Sequence, residues 1–238
     1  MAHVEPAFAR EEANHDKQMA ILAILEETYG GAKPALHFGS PFQLLIAVML
    51  SAQTNDNQVN KITDALFAAC PDCAHMAQLS QEQLEAYIRT CGLYKNKAKN
   101  ILATCQLLLA EYGGEVPADR EALMRLPGVG RKTANVVLSV GFGQPALVVD
   151  TRVFRVSRRL ALAFANTADG VEEDLCAIIP AEKWGQAHHW LIWHGRRVCT
   201  ARNPHCDACP LSALCRDYQT RQAESAARSA HESDTLAL

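Results

Sequence analysis

The chain has 238 residues, 49% hydrophobic and 21% charged, with a formal net charge of −3. This is the composition of a globular protein of one large domain or two small ones, able to bury a sizeable core without disulfide staples. The longest apolar run, Leu44 to Leu50, is too short to span a bilayer, and the N-terminus, with Glu5, Arg10, Glu11, Glu12 and Asp16, offers no apolar stretch for a signal peptide. The expectation is a cytosolic chain.

The pattern is helical throughout. Lys17 to Tyr29 carries Met19, Ile21, Leu22, Ile24 and Leu25 at helical spacing and stops at Gly30-Gly31. A second helix starts after Ser40, with Pro41 at its first position, and runs through the apolar segment 44–50. Further helices are expected at Asn57–Ala69, Gln81–Thr90, Asn96–Glu111, Arg120–Leu126, Arg131–Val140, Thr151–Ala161, Val171–Ile178 and Lys183–Val198. Gly92 and Gly113-Gly114 read as helix stops. No alternating strand pattern or long repeat recurs. From Arg221 the chain is Ala, Ser and charge, and is expected to be a disordered tail. The fold class is all-α.

Nine cysteines in a chain without a secretion signal argue against a disulfide framework. Cys105 and Cys176 read as small core residues. Cys70-Pro71-Asp72-Cys73 has a redox-like spacing but lacks the βαβ context, and reads as a loop between helices. Cys199, Cys206, Cys209 and Cys215 differ, because they crowd into one turn-rich stretch with spacing C-x6-C-x2-C-x5-C. Four thiolates from such a loop can converge on a zinc ion or on the corners of an iron–sulfur cube, and spacing alone does not choose.

The net charge hides a local asymmetry. Between Arg120 and Leu160 stand Arg120, Arg125, Arg131, Lys132, Arg152, Arg155, Arg158 and Arg159, opposed only by Glu121 and Asp150. Such a stretch attracts a polyanion or simply makes a solvated helix face, and charge does not separate the two. Leu126-Pro127-Gly128-Val129-Gly130-Arg131-Lys132-Thr133-Ala134 is more telling. One helix ends, the chain turns through Pro-Gly-Val-Gly, and a second helix begins. Amides at such a turn and in the new helix's first residues lack internal partners and suit a phosphate. A plain helix–helix connection needs fewer glycines.

These residues resemble the helix–hairpin–helix of the endonuclease III family of DNA repair glycosylases. Val148-Val149-Asp150-Thr151 is similar to that family's catalytic aspartate segment, and the cysteine loop to its [4Fe–4S] site. Leu45 to Gln53, Gly92-Leu93-Tyr94, His188 to Leu191 and His194-Gly195-Arg196 extend the resemblance, in the family's order, over roughly residues 17–218. It implies a two-domain helix–hairpin–helix glycosylase fold: an N-terminal segment and helix at 1–32, a six-helix domain at 33–144, a cluster domain at 145–220 that packs with the N-terminal helix, and the tail at 221–238. It also implies DNA lying across a cleft that Lys132 and Asp150 approach from opposite sides.

Residue by residue, the resemblance implies that Lys132 is a nucleophile forming a Schiff base at C1′, followed by β-elimination, with Asp150 stabilising charge on the sugar. Gln53 would fill the space of an extruded base and Leu93 wedge into the stack. Gly128, Val129, Gly130, Arg131 and Thr133 would contact DNA, and Cys199, Cys206, Cys209 and Cys215 would hold a [4Fe–4S] cluster. Without the resemblance, Gln53 reads as a helix-end polar residue, Leu93 as a buried leucine, Lys132 as a phosphate contact and Asp150 as a helix cap. Two positions depart from the family pattern. Arg152 stands where histidine is usual, and Asn55 where threonine is usual; both put substrate range in doubt more than reaction type. His188, His189 and His194 read as packing residues beside Trp190 and Trp193 rather than metal ligands. The expected enzyme is a bifunctional glycosylase and abasic-site lyase for oxidised pyrimidines in double-stranded DNA. It is expected to be a cytoplasmic, nucleoid-associated monomer without a membrane partner. A monofunctional adenine-mismatch glycosylase would lack the hairpin lysine, a non-catalytic DNA-binding module would not need both Lys132 and Asp150, and a zinc-binding structural protein would lack a brown chromophore.

Overall fold

The protein's computed structural model describes residues 15–31 and 35–235. Among these residues there is no strand, and the chain divides into two compact units: Lys33–Ala146, and the N- and C-terminal segments on either side of it.

In the inserted unit, α2 (Pro41–Ser51) is the centre. Its start is set locally: Pro41 occupies the first turn, where a missing N–H costs nothing, and Ser40 Oγ accepts the Gln43 amide at 3.2 Å. Phe42 and every residue from Leu44 to Leu50 are buried, and a helix apolar on all sides belongs inside a domain. Around it lie α3 (Asp56–Ala69), α4 (Cys73–Met76), α5 (Gln81–Ile88), α6 (Tyr94–Tyr112), α7 (Arg120–Met124) and α8 (Arg131–Val136). The expected helix at 131–140 changes character at Val137, where a π-helical turn, Val137–Gly141, packs against α2. Gly141 comes so close that a Cβ on it would lie 3.1 Å from Leu44 Cδ2. Among the described residues this unit holds seven helices rather than six. The additional one, α4, is a single turn capped by Asp72, whose Oδ1 accepts the His75 amide at 2.9 Å. Cys70 and Cys73 lie at this α3–α4 junction, buried in the same core as Cys105.

The other unit contains α1 (His15–Tyr29), α9 (Thr151–Arg159), α10 (Ala168–Ile178), a 3₁₀ turn at Ala181–Lys183, α11 (Trp184–Arg197) and α12 (Arg216–Thr235). Both α1 and α9 pack on α11, and α10 packs on α9. Ile21, Leu25, Val153, Val156, Leu175 and Leu191 make its core, each such burial being worth roughly 1.5–3 kcal/mol. α1 is tied in by polar contacts as well, since Gln18 Nε2 donates to Ala161 O at 3.0 Å. The disordered tail expected from Arg221 is instead the continuation of α12, with residues 236–238 outside those described. Ala, Gln, Glu and Arg are good helix formers, and Arg221 pairs with Asp217 one turn earlier at 2.6 Å.

Candidate active site

The hairpin after α7 is held from behind by α6. Thr104 Oγ1 donates to Pro127 O at 3.0 Å, and Asn100 packs on Gly128. Gly128 has φ +78°, and a Cβ there would lie 2.8 Å from Asn100 Nδ2, so backbone angle and space both demand glycine. Gly130 opens α8 in an extended conformation, with no side-chain cap and open space where a Cβ would stand. The first turn of α8 carries half-buried Arg131, exposed Lys132 and half-buried Thr133. Val129, named from the sequence as a DNA contact, turns its side chain into the core, and its amide donates to Leu126 O at 3.1 Å.

Gln53 and Leu93 come together. Both have φ +58°, and Gly92 packs on Gln53, where a Cβ would lie in ordinary contact, 3.5 Å from Gln53 O. Leu93 is 59% exposed, which rules out the buried-leucine reading. Asn55, the first departure, is the N-cap of α3 and accepts the Gln58 amide at 2.9 Å. Threonine and asparagine are both good caps, so this exchange keeps the local structure.

Asp150 is the N-cap of α9: its Oδ1 accepts the amides of Arg152 and Val153, each at 2.8 Å. Capping therefore occupies one oxygen. The other, Oδ2, faces Arg152, whose Nη1 donates to it at 3.2 Å. The second departure thus lies directly on the candidate catalytic carboxylate, whose side chain is only 9% exposed. Two residues upstream, Val148 O is 2.8 Å from the Nδ1 of buried His188, which anchors the segment leading to Asp150.

The four cysteines line one open cavity together with His194, Arg221 and Tyr218. No group of three or more His, Cys, Asp or Glu among the described residues is placed to hold a single metal ion. A tetrahedral zinc needs four sulfurs about 2.3 Å from one point, whereas a cube with a cysteine at each corner spreads them apart. Burial pushes the Cys209 and Cys215 thiols up, the latter to about 11, so their anions need positive partners. Donors reach three of the four sulfurs: Arg221 Nη2 is 3.3 Å from Cys206 Sγ, Arg159 Nη1 is 3.5 Å from Cys199 Sγ, and the Leu211 amide is 3.4 Å from Cys209 Sγ. The donor set fits an anionic sulfur cluster. His194, read as a packing residue, is buried, meets Tyr29 Oη at 3.2 Å, and lies 3.8 Å from Cys209 Sγ. Burial depresses it to about 4, so it sits there neutral. The sequence reading missed Arg159 and Arg221 as partners of the sulfurs: Arg221 lies near the start of the helix that follows the cysteine loop, whereas Arg159 ends α9, far from the loop in sequence, and carries no local signal.

Residues 46–181 match the HhH-GPD superfamily of base excision DNA repair proteins, and residues 199–215 match the iron–sulfur binding domain of endonuclease III. Endonuclease III of Escherichia coli is 49% identical over 202 residues, covering 85% of this chain and 96% of its own length. The chain belongs to the endonuclease III family. Endonuclease III of Rickettsia conorii is 47% identical over 198 residues, 83% of this chain and 94% of its own. A solved structure of a trapped endonuclease III–DNA covalent intermediate superposes with a TM-score of 0.84 at 45% identity, covering 88% of this chain and 99% of that one. The protein is a base excision repair DNA glycosylase with abasic-site lyase activity, and it carries a [4Fe–4S] cluster. No helix among the described residues is long and apolar enough to cross a membrane.

Proposed function

We propose that this enzyme excises oxidised pyrimidines from duplex DNA with Lys132 as nucleophile and Asp150 as its acidic partner. The observation that carries the reading is Lys132, exposed in the first turn of a helix that has no side-chain cap, directly after the glycine hairpin. The similar endonuclease III trapped covalently on DNA supports an enzyme nucleophile of this kind.

The unprotonated Lys132 amine attacks C1′ of the sugar, the glycosidic bond breaks, and the base leaves with that electron pair and a proton. Ring opening gives the protonated Schiff base. Loss of a C2′ proton then expels the 3′ phosphate by β-elimination, and water releases the lysine. Asp150 stabilises the positive charge that develops on the sugar and moves protons. Backbone amides at Gly128, Gly130, Arg131 and Thr133 hold the phosphates beside the lesion. Gln53 occupies the space of the extruded base, and Leu93 wedges into the stack. Cys199, Cys206, Cys209 and Cys215 hold the cluster, which when bound cross-links their loop into a fixed shape. The enzyme works as a monomer in the cytoplasm, where its DNA lies.

Lys132→Ala is expected to abolish strand cleavage while leaving binding to lesion-bearing duplex within about threefold, a small change against the roughly tenfold per 1.4 kcal/mol of a lost strong contact. Equal loss of cleavage and binding would place Lys132 on the phosphate backbone instead, and the enzyme's lyase nucleophile elsewhere.

A further inference from the structure

Lys97 stands in the first turn of α6 between exposed Lys95 and Lys99, yet is only 7% exposed itself. Lysines are almost never buried without a partner. This one uses its full donor set: Nζ donates to Leu50 O at 2.7 Å, to Ala52 O at 2.6 Å and to Thr54 Oγ1 at 3.2 Å. The first two are carbonyls at the C-terminal end of α2, where a cation is favoured. The Ala52 carbonyl belongs to the peptide bond leading into Gln53. From the other side, the Lys97 backbone amide donates to Leu93 O at 3.0 Å. Its side chain therefore holds the turn that carries Gln53, while its backbone belongs to the first turn of the helix that Leu93 caps.

These are two of the three non-glycine residues at positive φ among those described. Such conformations are strained and persist only where the surroundings over-determine them. The bracing is completed by the approach of Gly92 to Gln53 and by Gln58 Nε2, which donates to Thr90 Oγ1 at 2.8 Å. Burial pulls the Lys97 amine below its ordinary value, so keeping it there works against its solvation.

We infer that Lys97 is a positioning residue for lesion recognition: it locks the Ala52–Thr54 turn to Leu93, so that Gln53 and Leu93 enter the duplex as one rigid, two-pronged probe. The inference rests on the reading of those two residues as DNA probes.

The test is a double-mutant cycle read by single-turnover base release from a duplex carrying an oxidised pyrimidine. A 2-aminopurine opposite the lesion reports stacking. Lys97→Met keeps the length of the side chain and removes its donors. It is made in the wild-type enzyme and in Gln53→Ala/Leu93→Ala, each cluster-loaded by its visible absorbance. In the wild-type background the expected slowing is on the order of 10- to 100-fold, the scale of an ångström's misplacement, with loss of the enzyme-induced 2-aminopurine signal. In the probe-deleted background Lys97→Met is expected to change the rate by less than about twofold, because coupled residues do not add. The same fold-loss in both backgrounds would make Lys97 a stability residue only and overturn the inference. If Lys97→Met does not fold, Lys97→Gln, which retains an amide donor, is read by the same criterion. A probe-deleted enzyme that excises at the wild-type rate would instead defeat the reading of Gln53 and Leu93, and the inference with it.

Discussion

The two hairpin glycines do different work, and replacing each with alanine separates folding from DNA binding. At Gly128 the backbone sits at φ +78°, which costs a side-chain-bearing residue roughly 1–2 kcal/mol. The new Cβ would also lie 2.8 Å from Asn100 Nδ2, 3.1 Å from its Cβ and 3.2 Å from its Cγ. Of those atoms the Cβ is fixed to the α6 backbone and cannot swing away, and moving the others needs a rotamer change, so overpacking adds about 1–3 kcal/mol. Gly128→Ala is therefore expected to destabilise the enzyme by roughly 2–5 kcal/mol. Gly130 has a negative φ of −95° and nothing within 4 Å of the Cβ position. Gly130→Ala loses only some N-cap quality, about 1 kcal/mol at most. On the proposed phosphate contact, its methyl group would stand in the open space through which the phosphate approaches the α8 amides. Loss of one charged hydrogen bond, roughly 1.5–3 kcal/mol, is expected to weaken duplex binding by tenfold or more. Urea unfolding followed by circular dichroism reads the first quantity, and fluorescence anisotropy with an abasic-analogue duplex reads the second. Asn100→Ala should return about 1 kcal/mol of the Gly128→Ala loss by relieving the clash but not the backbone strain. A stable Gly128→Ala, or a Gly130→Ala enzyme that binds DNA normally, would refute the reasoning.

Leu93→Ala removes a side chain that is 59% exposed, so stability should stay within about 0.5 kcal/mol while single-turnover base release falls at least tenfold. Asp150→Asn keeps an oxygen to cap the Arg152 and Val153 amides, and is expected to hold the fold within about 1 kcal/mol while base release is lost; equal unfolding by Asp150→Asn and Asp150→Ala would make Asp150 a cap alone. Cys206→Ser should lose visible cluster absorbance and with it stability and DNA affinity, and a cluster-free variant with normal turnover would remove the cysteine loop from the binding machinery.

Much of this was legible because short-range chemistry wrote it. Ser40-Pro41 marks the start of α2, the apolar run 44–50 marks its burial, and Gly128 marks a turn that no other residue fits. The four cysteines declared a metal or cluster site by crowding alone. What escaped depends on residues distant in sequence. Lys97, in a lysine-rich run, looks like part of a solvated helix face until the end of α2 is folded against it. The left-handed conformations of Gln53 and Leu93 have no local signature, since neither is glycine or asparagine; they are imposed by the contacts between their loops. Arg159 and Arg221 reach sulfur only once α9 and α12 pack together around the loop. Arg152 stands out in the sequence, but its guanidinium comes to Asp150 Oδ2 only through the first turn of α9. The helix at 216–235 has few apolar residues to mark it, and helix propensity rather than an apolar stripe carries it.

The central claim is that Lys132 forms a covalent bond to the sugar of a damaged nucleotide. Borohydride trapping on a duplex carrying an oxidised pyrimidine, with wild type beside Lys132→Ala, tests it directly. The expected result is a stable protein–DNA adduct with the wild type and none with the variant, the adduct mapping to the peptide that contains Lys132. An undiminished adduct with Lys132→Ala, or base release by the wild type without any adduct, would contradict it.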